Sequence, residues 1–451
     1  MSRIQNAIIT KGLVTTRVLA APQDLNSGHL RLIIVPGRIS AIRGADDANP
    51  RLQWRTAFPM QPGDVLNLRD LEQGLENLRR PPTVTADFEI EPSQGKDAGP
   101  GESDVIINWQ QRFPARFTLA VDNSGAEATG KYQGSVTVSA DHWLGLNDLF
   151  YISLNHDLDG GGSGDSGTKG GTVHYSVPIG YSLISVTRSE YQYFQTIEGV
   201  NEPYTYSGES NNSDIRLSRV WFRDSRRKLS MFIGGWSRSS RNYIDDTEIQ
   251  IQKRRMAGWK LGVDHRQFWG DKLLELNLEY TRGTGARGAL PAPEEPIEQG
   301  VSRPEIVDAA IGFNWPFYIG NQFWRFSSEW RGQWNRTPLM PQDRFSLGGR
   351  FTVRGFDGER VLAAERGWLI RNDLGWQPWP RFELYWGLDY GKLSGAEVDQ
   401  LAGDHLSGTV LGVRGRYFGL SYDLFAGAPV SKPDNFETDS TVTAFSVSAS
   451  F

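Results

Sequence analysis

No cysteine occurs among the 451 residues, which removes a disulfide framework, a Cys-ligated zinc or iron–sulfur site and a thiol nucleophile. Long apolar runs are missing too. No stretch approaches the roughly 18 to 20 residues that a spanning helix needs. A mean hydropathy of -0.45 with 38% hydrophobic residues is too polar for a helical membrane protein. Basic charge is not in excess, since 48 Lys and Arg stand against 53 Asp and Glu for a net charge of -5; this argues against a nucleic-acid partner. The six histidines, at 29, 142, 156, 174, 265 and 405, show no H-x-x-x-H or clustered spacing, so no metal and no cofactor is expected. Glycine (50 residues) and aromatics (12%) are plentiful instead. Two classes remain: a soluble all-β protein, or a membrane β-barrel whose alternating strands hide their hydrophobicity from averages.

The chain divides into two regions of different grammar. From residue 1 to about 112 the periodicity is mixed. Ile4, Ala7, Ile8 and Leu13 are spaced for one helical face, and VTTRVLA and HLRLIIVPGRISAIR read as strands. A second round follows. NLRDLEQGLENLRR has near-helical leucine spacing, Asn67 as N-cap and Pro81-Pro82 as stop, and the strands TVTADFEIEP and SDVIINWQQ flank the turn SQGKDAGPGE. This is a short α+β module repeated about one and a half times. SRIQNAIITKGLVTTRV after Met1 lacks the regions of a signal peptide. Either the protein stays inside the cell or its start has been cut away.

From about Ala115 the pattern changes to period two, punctuated by Gly, Asn, Asp and Pro. Phe382, Leu384, Trp386 and Leu388 oppose Glu383, Tyr385, Gly387 and Asp389. Trp324, Phe326, Trp330 and Trp334 oppose Arg325, Ser327, Glu329, Arg331 and Gln333, and Leu274, Leu276 and Leu278 oppose Glu275, Asn277 and Glu279. The last strand places Thr443, Phe445, Val447, Ala449 and Phe451 on one face. Sixteen strands are expected, at 115–122, 131–140, 149–157, 171–178, 182–193, 213–223, 228–240, 255–268, 272–282, 305–316, 322–334, 365–376, 382–392, 406–417, 418–427 and 442–451. An even count, with short connections (LGLND, PIGY, RDSRR, WGDK, PFYIGN) alternating with long ones after Asp159, after Thr196 and from Gly283 to Arg303, is the signature of a membrane barrel with apolar residues toward lipid. Trp221, Trp259, Trp269, Trp315, Trp376 and Trp379 suit interfacial girdles. The polar faces then line an aqueous lumen, with Lys260, Asp264, Glu279, Arg325, Glu329, Arg331, Arg414 and Arg416 as its charged wall.

Several enzyme-like strings fail on context. Gly162, Gly164 and Gly167 form a G-x-G-x-x-G, and GDSG resembles a serine-protease nucleophile segment, but both sit in one glycine-rich run between strands. Gly167-Thr168-Lys169 is not in the frame of a phosphate loop. His156 and His265 fall on apolar faces with no serine to pair, so a barrel-embedded lipase is not supported. The longest connection, with RFSLGGRFTVRGFDGERVLAAERG between strands ending near Asn335 and starting near Gly367, has more β propensity and charge than an exposed loop needs. Folded back into the lumen, its Arg354 meets an inward carboxylate: Asp389, with Glu383 as second candidate. The alternative is an Arg354 solvated at the surface.

GLVTTRVLAAPQDLNSGHLRLIIVPGRI, TGKYQGSVTVSADHWLGLNDLFYISLNHDL, FSLGGRFTVRGFDGER, WGLDYG and the terminal Phe451 together make the chain resemble the outer-membrane transporters of two-partner secretion, the TpsB proteins, over essentially its whole length. These include the transporters of filamentous haemagglutinin, haemolysin and contact-dependent inhibition toxins. The resemblance implies a membrane all-β fold: a 16-stranded antiparallel barrel preceded by α+β POTRA modules in the periplasm. The modules bind the N-terminal secretion domain of a large exoprotein (TpsA), which passes unfolded through the barrel without ATP. It also implies that Val353-Arg354-Gly355-Phe356 forms the tip of a lumenal loop contacting Asp389, and that Phe451 is read by the barrel-assembly machinery. The expected divisions are 1–40 for part of a first module, 38–112 for a second, and 113–451 for a monomeric, lipid-embedded barrel with lumenal loop 336–364. Strand edges at Leu30 to Val35 and Thr85 to Ile90 would take the partner by β-augmentation. Family members begin with a signal peptide, plug helix, linker and the opening of module one, so the chain is read as starting within that module, with a less occluded pore. A barrel-assembly factor of the same superfamily is the rival reading; a passive porin leaves the N-terminal modules without a role.

Overall fold

The structure, a computed structural model, describes all residues except 1, 47–48, 95–98, 100, 159–165, 200–201 and 298, and all side chains of those residues but that of Ser27. Of the glycine motif, Gly162 and Gly164 therefore lie outside the described residues, as does part of the turn expected at 93–102. Gly167 is inside a barrel strand.

At the N-terminus, α1 (Ser2–Thr10) precedes an antiparallel ribbon of β1 (Arg17–Leu19) and β2 (Ile33–Val35). These strands are shorter than the periodicity suggests, and Leu30 falls outside β2. The next unit holds β3 (Arg38–Gly44), α2 (Trp54–Ala57), α3 (Leu68–Arg79), β4 (Val84–Pro92) and β5 (Glu102–Gln111), with sheet order β3-β5-β4. Helix α3 starts where expected because the Asn67 side chain accepts the Arg69 N–H, and it ends before Pro81, which cannot continue it. Leu71 and Leu78 of α3 are fully buried in one core with Ile107 and Trp109 of β5. Gly74 permits this approach, since a Cβ there would stand 2.1 Å from the Phe58 ring.

The remainder forms a closed antiparallel barrel. Its strands are β6 (Ala115–Asp122), β7 (Gln133–Asp141), β8 (Leu149–Asp157), β9 (Ser166–Ile179), β10 (Ser182–Ile197), β11 (Tyr204–Arg223) and β12 (Arg227–Ile244), then a two-residue ribbon β13 (Thr247–Glu248), β14 (Arg254–Trp269), β15 (Lys272–Thr284), β16 (Glu305–Ile319) and β17 (Gln322–Asn335). A small hairpin, β18 (Phe345–Leu347) with β19 (Leu362–Ala364), interrupts the series before β20 (Arg366–Trp379), β21 (Phe382–Ser394), β22 (His405–Tyr417), β23 (Leu420–Ser431) and β24 (Val442–Ser450). Without the ribbon and the hairpin, sixteen strands span, as the sequence predicts. The widest departure is at β9 to β12. The long loop expected after Thr196 is short, because β10 runs on to Ile197 and β11 starts at Tyr204, with Phe194 opposite Ser207. YTYSGESNN, residues 204–212, falls in that expected loop because it has no apolar face. Strands of 16 to 20 residues exceed the roughly 9 to 11 that cross a bilayer, so their outer ends stand in water on both faces and need no such face.

The alternation places side chains as expected. On β21, Glu383, Tyr385 and Asp389 are buried inside while Trp386 and Leu388 are exposed outside. No described helix is long and apolar enough to cross a membrane; the strands do so. Trp221, Trp269, Trp315, Trp376 and Trp379 lie toward the short-turn ends of their strands and Trp259 toward the opposite ends.

Candidate functional site

The segment between β17 and β20 folds into the lumen as a hairpin. Its packing is apolar from foot to tip: Leu347 and Leu362 near the foot and Val353 and Phe356 at the tip are buried with Leu406 of β22 and Phe436. Its tip carries Arg354, whose backbone turns away at Gly355 with φ 100°, a conformation that favours glycine. Arg354 is 3% exposed and Asp389 1%. The guanidinium donates through Nε to Asp389 Oδ2 at 2.8 Å and through Nη2 to Oδ1 at 2.7 Å, and the Arg354 backbone N–H adds a third bond to Oδ2 at 2.9 Å. A bidentate pair of this kind fixes orientation as well as position. Nη2 is shared with Asp373 Oδ1 on β20 at 2.6 Å.

The second carboxylate on Arg354 is thus Asp373, which the alternation of β21 does not point to, and not Glu383, the second candidate expected from the sequence. Glu383 stands six residues from Asp389 on the same strand, about 20 Å nearer the short-turn end. There it takes Arg325 at 2.7 Å and Arg414 at 2.6 Å and does not contact Arg354. Arg414 closes the chain by reaching Asp373 Oδ2 at 3.0 Å. The result is a continuous alternation of charge, Asp389, Arg354, Asp373, Arg414, Glu383, Arg325, along β17 and β20 to β22. Two glycines make room for it. A Cβ at Gly387 would meet Arg354 Nη2 at 2.7 Å, and one at Gly408 would meet the Arg354 carbonyl at 1.9 Å. Gly408 is the register partner of Asp389, and Gly387 that of Asp373, a relation that no local pattern displays.

The other expected lumenal charges lie further round the wall. Lys260 is 3.1 Å from Glu279 and 3.8 Å from Asp214. Asp264 accepts from Arg216 at 2.7 Å and Asn277 at 2.7 Å. Arg331 pairs with Glu329 at 2.5 Å. Arg416 is exposed at the end of β22, at the rim of the wall. Phe451 follows β24 and is 76% exposed; its N–H and carbonyl both bond to the Phe117 backbone, at 2.9 and 3.2 Å.

Helix α3 docks under the barrel mouth. Glu76 meets Lys228 and, at 2.6 Å, Arg223. Burial alone would raise its carboxyl, but these two cations outweigh it and hold Glu76 below the usual carboxylate range. Asp70, which accepts from the Tyr181 hydroxyl, is pushed up by burial. Asn77 Nδ2 donates to the carbonyls of Ala57 and Gly180 at 2.6 and 2.7 Å. In the β7–β8 turn, His142 Nδ1 accepts the Asn147 N–H at 2.9 Å, which leaves Nε2 to donate to the Arg51 carbonyl at 2.9 Å. Burial pushes this imidazole below its ordinary value. Between α3 and the loop tip the lumen keeps a cavity of about 750 Å³, bordered by Glu76, Lys228, Asp264, Arg354, Arg371 and Asp373.

Comparison with known proteins gives the same picture over the full length. Residues 101–415 match the family model of haemolysin secretion/activation protein ShlB/FhaC/HecB, residues 38–92 match a POTRA domain, and residues 1–37 match a ShlB-type POTRA domain. Outer membrane transporter CdiB-2 of Burkholderia pseudomallei is 36% identical over 99% of this chain and 76% of its own length. Among solved structures, CdiB from Acinetobacter baumannii is 32% identical with a TM-score of 0.88, covering 100% of this chain and 81% of its own. CdiB from Escherichia coli is 27% identical with a TM-score of 0.90, covering 100% and 83%.

Proposed function

The chain belongs to the haemolysin secretion/activation protein family ShlB/FhaC/HecB, and from that premise we propose how its parts carry out export. It is an outer-membrane transporter of two-partner secretion, with its POTRA domains on the periplasmic side, that exports a partner exoprotein. Residues 1–112, divided near 38–40 into two POTRA modules, capture the N-terminal secretion domain of the partner. β4 is an edge strand of its sheet and offers one free side for an extended segment. The segment then enters the lumen past α3. The loop tip Val353-Arg354-Gly355-Phe356, held by Asp389 and Asp373, sets how far that lumen is open. The lumenal charges Lys260, Glu279, Glu329 and Arg331 engage one another, so none is left to trap a passing chain.

The observation that carries this reading is the buried Arg354–Asp389 pair inside a closed barrel with a docked POTRA unit. A porin needs no such lock. An assembly factor that inserts other barrels is less supported, because the full-length likeness is to transporters. Relatives named CdiB over the whole chain favour a contact-dependent inhibition exoprotein as cargo. The test is co-expression with a large candidate exoprotein and assay of the medium: cargo outside cells only when this chain is present supports the proposal, and cargo retained in the periplasm regardless sinks it.

A further inference from the structure

The barrel closes where its first and last strands meet, and this seam is its shortest pairing. β6 and β24 share five register pairs, from Asp122↔Ser446 to Thr118↔Ser450, against eight for β23 with β24 and eight for β6 with β7. Below these, Phe117 and Phe451 exchange two backbone bonds, and above Asp122 the Asn123 N–H reaches the Phe445 carbonyl only at 3.4 Å, so the ladder there is carried mainly by a side chain. Asn123 Oδ1 accepts the Phe445 N–H at 2.8 Å, and its Nδ2 donates to the Thr443 carbonyl at 2.9 Å.

The lumenal loop ends at this same point. Arg350 Nη1 donates to Asn123 Oδ1 on one side of the seam and to the Phe445 carbonyl on the other, both at 3.2 Å. Glu359 accepts the Glu127 N–H at 2.9 Å, beyond β6. Asp357 accepts the Thr438 hydroxyl at 2.9 Å and the Asp439 N–H at 2.8 Å, in the segment leading into β24. Arg350 and Arg354 are joined by a tight turn, in which Thr352 N–H donates to the Gly349 carbonyl at 2.9 Å and the Thr352 hydroxyl accepts the Gly348 N–H at 3.1 Å. One short, stiff segment thus holds the buried ion pair at one end and both edges of the seam at the other.

We propose that Arg350 is a positioning residue: with Asp357 and Glu359 it bolts the lumenal loop across the β6–β24 closure, so that docking of Arg354 on Asp389 and lateral closure of the barrel form one conformational unit. The seam has the fewest backbone pairs to resist opening, so it is the pairing most sensitive to losing such a bolt. Coupling of this kind is reciprocal: what frees the loop loosens the seam, and what locks the seam holds the loop. The proposal is independent of which cargo is exported, and its test uses no cargo.

The experiment is hydrogen exchange on the full chain in lipid nanodiscs, comparing seam segments 117–123 and 442–450 with the β20–β21 segment 366–394. In Arg350→Gln, seam exchange should rise about tenfold while β20–β21 stays protected. Arg354→Ala should give the same seam response although Arg354 makes no contact there. Unchanged seam exchange in Arg350→Gln overturns the proposal, and so does equal loosening of the seam and β20–β21, which marks general destabilisation. A second arm guards the coupling itself. Ala120 and Ser448 are register partners, and the chain has no other cysteine to compete with the pair Ala120→Cys/Ser448→Cys. Closing that disulfide in the Arg350→Gln background should return exchange at loop residues 349–356 toward wild type; a loop indifferent to the disulfide overturns the coupling.

Discussion

Two halves of the lumen wall solve different problems with different chemistry. From β17 through β20 to β22, the inward positions are Arg325, Arg371, Asp373, Glu383, Asp389 and Arg414, knit into ion pairs around the loop tip. From β24 through β6 to β11, one level of the wall reads Ser450, Thr118, Thr137, Ser153, Thr172, Ser189, Asn212, each the register partner of the next. The hydroxyls bond among themselves, as between Thr137 and Ser153 at 2.8 Å. A buried ion pair is directional and costly to break on one side only, which suits a fixed anchor. A row of hydroxyls exchanges hydrogen bonds with water or a passing chain at little cost and anchors nothing. The loop tip is thus fastened to the charged wall, and the loop meets the hydroxyl wall only at its β24–β6 edge, through Arg350, which leaves β7 to β11 open.

Mutations should separate the halves by size of effect. Arg354→Ala leaves Asp389 buried with only Arg371 at 3.8 Å and without its bidentate partner, a cost of about 3 kcal/mol; export into the medium should fall by roughly two orders of magnitude while the heat-modifiable barrel persists on electrophoresis. Normal secretion by this variant would remove the anchor role. Gly387→Val pushes a side chain into Arg354 and Asp373, an overpacking worth about 1–3 kcal/mol, and export should drop about tenfold. Asp373→Asn keeps the bidentate Asp389 contact and should cost only a few-fold. On the hydroxyl wall, Thr137→Val with Ser153→Ala should change export by less than about twofold. A large loss there would break the comparison, because it would show that this wall also holds something specific.

At the periplasmic dock the expected effect is on local exchange and not on export. His142 has a folded-state value below its ordinary 6.5, so its contribution is fully present above 6.5 and is lost as pH falls through the folded value. Protonation also removes Nδ1 as acceptor for Asn147. Asp70, raised by burial, works the opposite way, its contribution being present below its ordinary value of 3.8 and lost as pH rises through the folded one. Glu76, held low, contributes above 4.5 and weakens only below that. As pH falls below 6.5 the His142 contribution weakens where that side chain bonds, so exchange at residues 142–148 should quicken about two- to threefold on acidification. His142→Asn, which tolerates the positive φ of 56° there, should flatten that response.

Legibility varied with the range of the physics. Helix α3 was readable because cap, leucine spacing and stop are all local. The barrel was readable because period two with one apolar face repeats sixteen times, and it failed at β10 and β11 where water on both sides erases the apolar face. Arg354 and Asp389 stood out from alternation together with the glycine-flanked loop. Asp373, Gly387 and Gly408 did not, although Arg371 and Asp373 share a face of β20. Their meaning comes from register across strands far apart in sequence. The dock is the same case, since Asn77 and Gly180 are distant in the chain and each is unremarkable alone.

Which faces meet lipid and which meet water, and how many strands span, can be read from the order of residues alone. Side-chain alternation and backbone hydrogen-bond demand are properties of each segment, so no tertiary knowledge is needed to read them. Which carboxylates receive Arg354, where Arg350 falls on the closing seam, and how α3 sits at the mouth emerge only once the strands are paired. Those depend on strand register and on ring closure, and a shift of one residue in register would turn Asp373 and Asp389 to the other face and leave Arg354 without its carboxylates.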